Sequence, residues 1–321
     1  MPTPDGRPAT VVVTGGNAGL GRHAARAILS DDPGWHVVLA CRDVERAEAA
    51  RRELTAGAGR AGGGDPERVG VVRLDLASLA SVRAFPAALA ARRLPPLRAL
   101  VANAGVQVLD VDHRTADGFE LTFGVNHLGH YLLIRLLLDQ LAAPARIVLV
   151  ASGTHHTSFR KKGGFPDPAW SDADTLAHPP PDPGRAGPRA ARVAYATSKL
   201  ATVYTAYELA RRLGPARGIT CVAYDPGLMP GTGLGRDYPT AQRFVWRHLM
   251  PALRLLPGVT SAPAAGRRLA RLVTDPRLAH FDGVYVELGR VTRSSEESYD
   301  RARTAALWEE SARLVGLEAR I

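Results

Sequence analysis

Residues 9–21 read Ala-Thr-Val-Val-Val-Thr-Gly-Gly-Asn-Ala-Gly-Leu-Gly. The β-branched run Ala9–Val13 predicts a short strand. From Gly19 to Ser30 apolar residues recur at helical spacing. Between the two, Thr14-Gly15-Gly16-Asn17-Ala18-Gly19-Leu20-Gly21 lets the backbone turn tightly and approach a pyrophosphate. The helix start adds N–H groups and the positive end of its dipole. A glycine cluster alone would suit an ordinary turn. Set between a strand and a helix, it predicts a dinucleotide site made by Gly15, Asn17, Ala18, Gly19, Leu20 and Gly21.

Outward from this loop, strand and helix patterns alternate. Strands are expected at His36–Ala40, Val69–Leu74, Arg98–Ala102, Arg146–Val150 and Ile219–Tyr224, with a last short one at Gly283–Val286. Helices are expected at Val44–Leu54, Leu79–Ala91, around Gly118–Leu141, at Val193–Leu213 and at Ala262–Val273. Such alternation argues for α/β architecture, a doubly wound parallel sheet of Rossmann-like form. The reading is one domain, with a core over about 8–290, an insertion at about 154–192, a lid at about 228–258 and a C-terminal helical extension at about 291–321. The Pro-rich stretch Gly163–Arg189 lies inside the insertion, expected over the C-terminal edge of the sheet.

Composition narrows the class. The chain has 321 residues, 45% hydrophobic and 22% charged, as in a globular protein. Its formal net charge is +10, and of 41 basic residues only Lys161, Lys162 and Lys199 are lysine. The arginines are spread over nearly every helix without a basic arm, so no nucleic-acid partner is expected. The two cysteines, Cys41 and Cys221, fall in strand-like runs and read as buried thiols of a reducing cytoplasm. No signal peptide and no membrane-spanning run is expected. His127, His130, His155 and His156 lack the spacing of a metal site, so no metal is expected.

The second strand ends Ala40-Cys41-Arg42-Asp43. An acidic residue here would take the ribose 2′-hydroxyl of NAD; Arg42 suits a 2′-phosphate instead. NADP(H) is the expected cofactor, with NAD(H) the competing reading because Asp43 follows. Tyr195 and Lys199, four apart, share one helical face. A nearby cation favours the phenolate and fits Tyr195 for proton transfer to a carbonyl or from an alcohol. Ser152 falls just past a strand, where its hydroxyl can hold a substrate oxygen or simply cap the strand end. Asn126 falls inside a helix, a position suited to a backbone or water contact.

Together, TGGNAGLG at Thr14–Gly21, Asp75-Leu76, Asn103-Ala104-Gly105, Asn126, Ser152, Tyr195 with Lys199, and Pro226-Gly227 resemble the short-chain dehydrogenase/reductase family over roughly residues 8–290. The resemblance implies that Asp75 and Leu76 frame an adenine ring and that Asn103, Ala104 and Gly105 flank the cofactor. It implies that Lys199 also binds the nicotinamide ribose, that Asn126 holds a relay water, and that Pro226, Gly227, Met229 and Thr232 contact the nicotinamide side. Asn126, Ser152, Tyr195 and Lys199 would be the catalytic set.

Trp35–Asp43, Val125–Tyr131 and the tail from Ser294 are similar to protochlorophyllide reductases, and the first two also to retinol-dehydrogenase-like reductases. Ser152 and Tyr195 stand 43 positions apart, a long interval that those groups share. The light-dependent reductases carry a cysteine two positions after the lysine, where this chain has Ala201. The expected activity is therefore dark, NADP(H)-dependent hydride transfer between nicotinamide and a hydrophobic carbonyl or alcohol. The alternatives are light-dependent reduction of a carbon–carbon double bond and a non-enzymatic NADP(H)-sensing regulator. The apolar and basic mixture Gln242–Met250 in the lid suits a bulky hydrophobic substrate, a membrane surface or another subunit. Family members often pair through two long helices, here Gly118–Leu141 and Val193–Leu213, which the insertion and tail could block.

Overall fold

The computed structural model describes residues 6–56, 65–158, 164–180, 187–229 and 258–321. Most of the lid, Thr232, and parts of the insertion lie outside the described residues. Eight strands form one sheet: β1 (Ala9–Thr14), β2 (Trp35–Cys41), β3 (Val69–Arg73), β4 (Leu97–Ala102), β5 (Leu141–Val150), β6 (Ile219–Asp225), β7 (Val284–Glu287) and β8 (Arg290–Thr292). Their order is β3-β2-β1-β4-β5-β6-β7-β8. The first seven run parallel and β8 pairs antiparallel with β7.

Strand sequences such as Val11-Val12-Val13 are apolar throughout because both faces of the sheet are covered. Val11 and Val13 point into one core layer and Val12 into the other. The first layer is closed by α1 (Gly19–Asp31) and α2 (Val44–Thr55), together with a later helix, Ala262–Thr274. The second is closed by α3 (Leu79–Ala90), α4 (Gly129–Leu137), the long α6 (Pro188–Leu213) and α8 (Arg301–Leu314). The short α5 (Ala173–Ala177) lies within the insertion, and Ala262–Thr274 is α7. No helix among the described residues is long and apolar enough to cross a membrane.

Several expectations change. The helix expected around Gly118–Leu141 starts as a single turn at Leu121–Phe123 and widens into a π-helical turn at Gly124–Leu128 before α4. Strand β5 begins at Leu141, not at Arg146, because Leu141 and Ala145 already pair with neighbouring strands. The strand at β7 is not the last, since Leu288 at φ 51 and Gly289 at φ 87 turn the chain back into β8. Helix α6 starts at Pro188, a residue whose fixed φ and missing N–H suit a first helical turn.

The strand order reverses between β1 and β4, and it is beyond the carboxyl ends of the strands at such a reversal that open α/β sheets bind ligands. The chain segments that follow β1, β2, β4, β5 and β6 all emerge on that edge.

Candidate functional site

The nucleotide loop is built against the end of β4. Thr14 Oγ1 accepts hydrogen bonds from the backbone N–H of Asn103 and of Ala104, each at 2.9 Å, and Asn103 Nδ2 donates to Thr14 O at 2.8 Å. Gly15 N–H donates to Ala40 O at 2.9 Å, tying the loop to β2. At φ 63 a Cβ on Gly15 would lie 3.1 Å from Ala104 Cα, so glycine permits both the turn and the close approach. Helix α1 begins after Ala18 with no side-chain cap and no acidic residue in its first turn. Its N-terminus therefore keeps its positive dipole end for an anion.

Arg42 is exposed just past β2. Asp43 is engaged elsewhere: its carboxylate accepts from Arg46 N at 3.0 Å and caps α2. Asp75 Oδ1 accepts from Ala77 N at 3.0 Å, and Leu76 is buried against the core. Beyond β6, Gly227 N–H donates to Asp225 Oδ1 at 2.8 Å, and Met229 is buried. Asp225 is the last residue of β6, only 3% exposed, and accepts a bond from Tyr285 OH at 2.7 Å.

The residues expected to be catalytic lie deeper. Lys199 is buried, its Nζ donating to Val150 O at 2.8 Å and sitting 5.7 Å from the centroid of the Tyr195 ring. The last residue of β5 thus holds the lysine against the tyrosine. The Tyr195 ring is 6% exposed and meets Phe165 of the insertion at 5.8 Å between centroids. Asn126 occupies the π-helical turn, not a regular helix. Its Oδ1 accepts from Val106 N at 2.8 Å, and its Nδ2 donates to Val106 O and Ser198 Oγ, each at 3.0 Å. The widened turn thus joins the segment after β4 to α6, a use typical of such turns. A Cβ on Gly105 would stand 3.2 Å from Asn126 Oδ1 and 3.7 Å from Lys199 Nζ, which places that glycine between them. Ser152 opens a 3₁₀ turn, Gly153–His155, and its carbonyl accepts from His155 Nδ1 at 2.6 Å.

The histidines and several hydroxyl groups carry contacts that the sequence reading did not assign. His127 Nε2 pairs with Ser311 Oγ at 2.7 Å, and His130 lies between Asn126 and Thr14. The one available signal was the spacing of four between Asn126 and His130, which puts both on one helical face.

Burial pushes Lys199 down from 10.5 to about 8, while the charge of Asp225 acts in the opposite direction. Loss of this cation should lower kcat/KM as pH rises through about 8. An unfolded lysine keeps its proton to higher pH, so between about 8 and 10.5 this group's own contribution to stability rises with pH. The activity loss should therefore be reversible on return to pH 7. A pH profile that stays flat to pH 10 would contradict the assignment.

Nucleotide loop, strand order and a buried Tyr–Lys pair together define a nucleotide-binding oxidoreductase fold. The family model described as short chain dehydrogenase matches residues 9–162. A protochlorophyllide reductase, chloroplastic, of Chlamydomonas reinhardtii is 37% identical, over 97% of this chain and 78% of that protein. The corresponding protein of Daucus carota is 35% identical over 97% of this chain and 79% of its own length. An uncharacterised protein of Mycobacterium paratuberculosis has a similar solved structure, with TM-score 0.63, 27% identity and 99% of each chain covered. A short chain dehydrogenase of Burkholderia cenocepacia, solved in complex with NADP, gives TM-score 0.59 and 25% identity over 87% of this chain and 94% of that one. The chain belongs to the short-chain dehydrogenase/reductase family and is an oxidoreductase of that family.

Proposed function

We propose that the protein is an NADP(H)-dependent reductase of a hydrophobic carbonyl compound, or a dehydrogenase of the matching alcohol. The observation that carries this is the buried Tyr195–Lys199 pair anchored to Val150 O, at the same sheet edge as the glycine loop. The residues present fit the cofactor: the loop is a cradle that a Cβ would fill, the α1 N-terminus is uncapped, and Arg42 is exposed beside it. Bound NADPH would supply the hydride.

The chain's own groups do the rest. Gly15 and Asn17–Gly21 bind pyrophosphate, and Arg42 pairs with the 2′-phosphate, a reading supported by the cap that Asp43 makes on α2. Asp75 and Leu76 border the adenine, and Asn103–Gly105 support the loop. Pro226, Gly227 and Met229 border the nicotinamide. Ser152 orients the substrate oxygen, Tyr195 exchanges its proton, and Lys199 steadies the phenolate and holds ribose. Asn126 fixes the far side of the relay. An assay of NADPH oxidation over a panel of hydrophobic ketones and aldehydes tests the reading, and the absence of any turnover overturns it. Arg42→Ala should weaken NADPH about tenfold and leave NADH unchanged, as read by titration; an unchanged ratio would remove Arg42 from the 2′-phosphate.

The names of the relatives favour a second reading, light-driven reduction of a carbon–carbon double bond in protochlorophyllide. Against it, Ala201 is fully buried in the core and offers no thiol. Illuminating protochlorophyllide with NADPH and the protein should leave its absorption spectrum unchanged. The buried thiols Cys41 and Cys221 suit a reducing compartment, the cytoplasm in this reading.

Helix α8 packs on α6, and Trp308 lies edge-on to Tyr131 of α4 at 4.8 Å while the Arg212 guanidinium sits 5.2 Å over its ring. The chain's own tail thus covers part of the faces through which a second copy would pair. We infer a protein that does not dimerise through those faces. Cysteine cross-linking directed across α4 and α6 should give no dimer; a dimer cross-linked through those faces would overturn this.

A further inference from the structure

His130 stands on α4 between Asn126 and the start of the nucleotide loop and is 4% exposed. Its Nδ1 lies 3.2 Å from the main-chain carbonyl of Asn126, and its Nε2 lies 2.9 Å from Thr14 Oγ1. A carbonyl oxygen can only accept, so Nδ1 carries the hydrogen. Burial, with the charge of Lys199 a smaller contributor, pushes His130 down from 6.5 to about 4 and keeps the ring neutral. Nε2 then presents a lone pair and accepts from the Thr14 hydroxyl.

The hydroxyl has one hydrogen and two lone pairs. The N–H groups of Asn103 and Ala104 both donate to its oxygen at 2.9 Å. With the hydrogen directed to Nε2, the lone pairs are left for those two amides. The competing acceptor, Val101 O, is farther away at 3.4 Å.

We propose that His130 is a positioning residue that orients the Thr14 hydroxyl, locks the Asn103–Gly105 segment against the nucleotide loop, and so sets the affinity for the cofactor. The inference rests on the NADP(H) reading above. Three groups on three elements would then act as one unit: Thr14 at the end of β1, the 103–105 segment after β4, and His130 on α4. Such units show strongly non-additive mutational effects.

The test is NADPH titration by protein fluorescence on wild type, His130→Phe, His130→Gln, Thr14→Val and the Phe/Val double variant. Phenylalanine keeps a buried ring without the acceptor, and glutamine restores an acceptor toward Thr14. His130→Phe should raise Kd about tenfold, the net worth of one buried hydrogen bond, and Thr14→Val by at least as much, because it also leaves the Asn103 and Ala104 amides without their acceptor. The double variant should bind no more weakly than Thr14→Val, and His130→Gln should recover most of the affinity. Additive losses, or an unchanged Kd in a folded His130→Phe variant, would overturn the proposal. Nitrogen-15 spectra of the wild-type histidines supply a readout that needs no variant to fold. A neutral Nδ1–H tautomer for His130 supports the assignment, and an Nε2–H tautomer or an imidazolium at neutral pH overturns it. The cofactor reading fails separately, if the wild type does not bind NADPH.

Discussion

Replacing Tyr195 by Phe is expected to lower turnover about a thousandfold while NADPH still binds. General acid–base transfer by a positioned group is worth roughly 10²–10⁴ in rate, and Phe removes only the exchangeable proton. The ring's packing against Phe165 and its approach to Lys199 Nζ depend on the aromatic face, which Phe retains. Melting temperature and cofactor affinity should therefore stay near wild type. The measurement is steady-state turnover alongside an NADPH titration. Retained turnover would remove Tyr195 from the proton-transfer role; lost binding would show that the substitution reached beyond the hydroxyl.

Gly21→Ala is expected to destabilise the fold by about 1–3 kcal/mol and to weaken NADPH binding more than tenfold. Inside a helix this exchange ordinarily stabilises by about 1 kcal/mol, because alanine has less conformational freedom to lose. Here the added Cβ would stand 2.6 Å from Asn103 Nδ2 and 2.7 Å from Gly15 O. One neighbour holds β4 to the loop and the other is the loop backbone, so relief must come from moving the cradle itself. Thermal unfolding and NADPH titration together read both effects. A more stable variant with unchanged affinity would show that the loop yields without cost.

How legible the site was depended on what each residue's role rests on. The glycine loop could be read because its requirement is local: a strand, a tight turn and a helix start occupy consecutive residues. The Tyr195–Lys199 pair was legible for the same reason, since a spacing of four fixes a shared helical face. Asp43 could not be resolved from sequence, because a carboxylate after a strand serves a ribose or a helix cap equally well. In the structure Asp43 caps α2 through Arg46 N. Asp225 reads as a turn residue beside Pro226, but its burial and its bond to Tyr285 come from a strand 60 residues away. His127 and His130 were not legible as contacts because their partners Ser311 and Thr14 are distant in sequence.

By itself the sequence determined the alternating α/β order, the glycine loop between strand and helix and the shared helical face of Tyr195 and Lys199, because periodicity and short motifs are properties of neighbouring residues. Tertiary structure alone decided the strand order with its reversal between β1 and β4, the widened turn that aims Asn126 at Val106 and Ser198, and the tail laid over α4 and α6. Those features depend on which distant segments pack together, and packing is set by the summed burial of the whole chain, not by any one stretch of it.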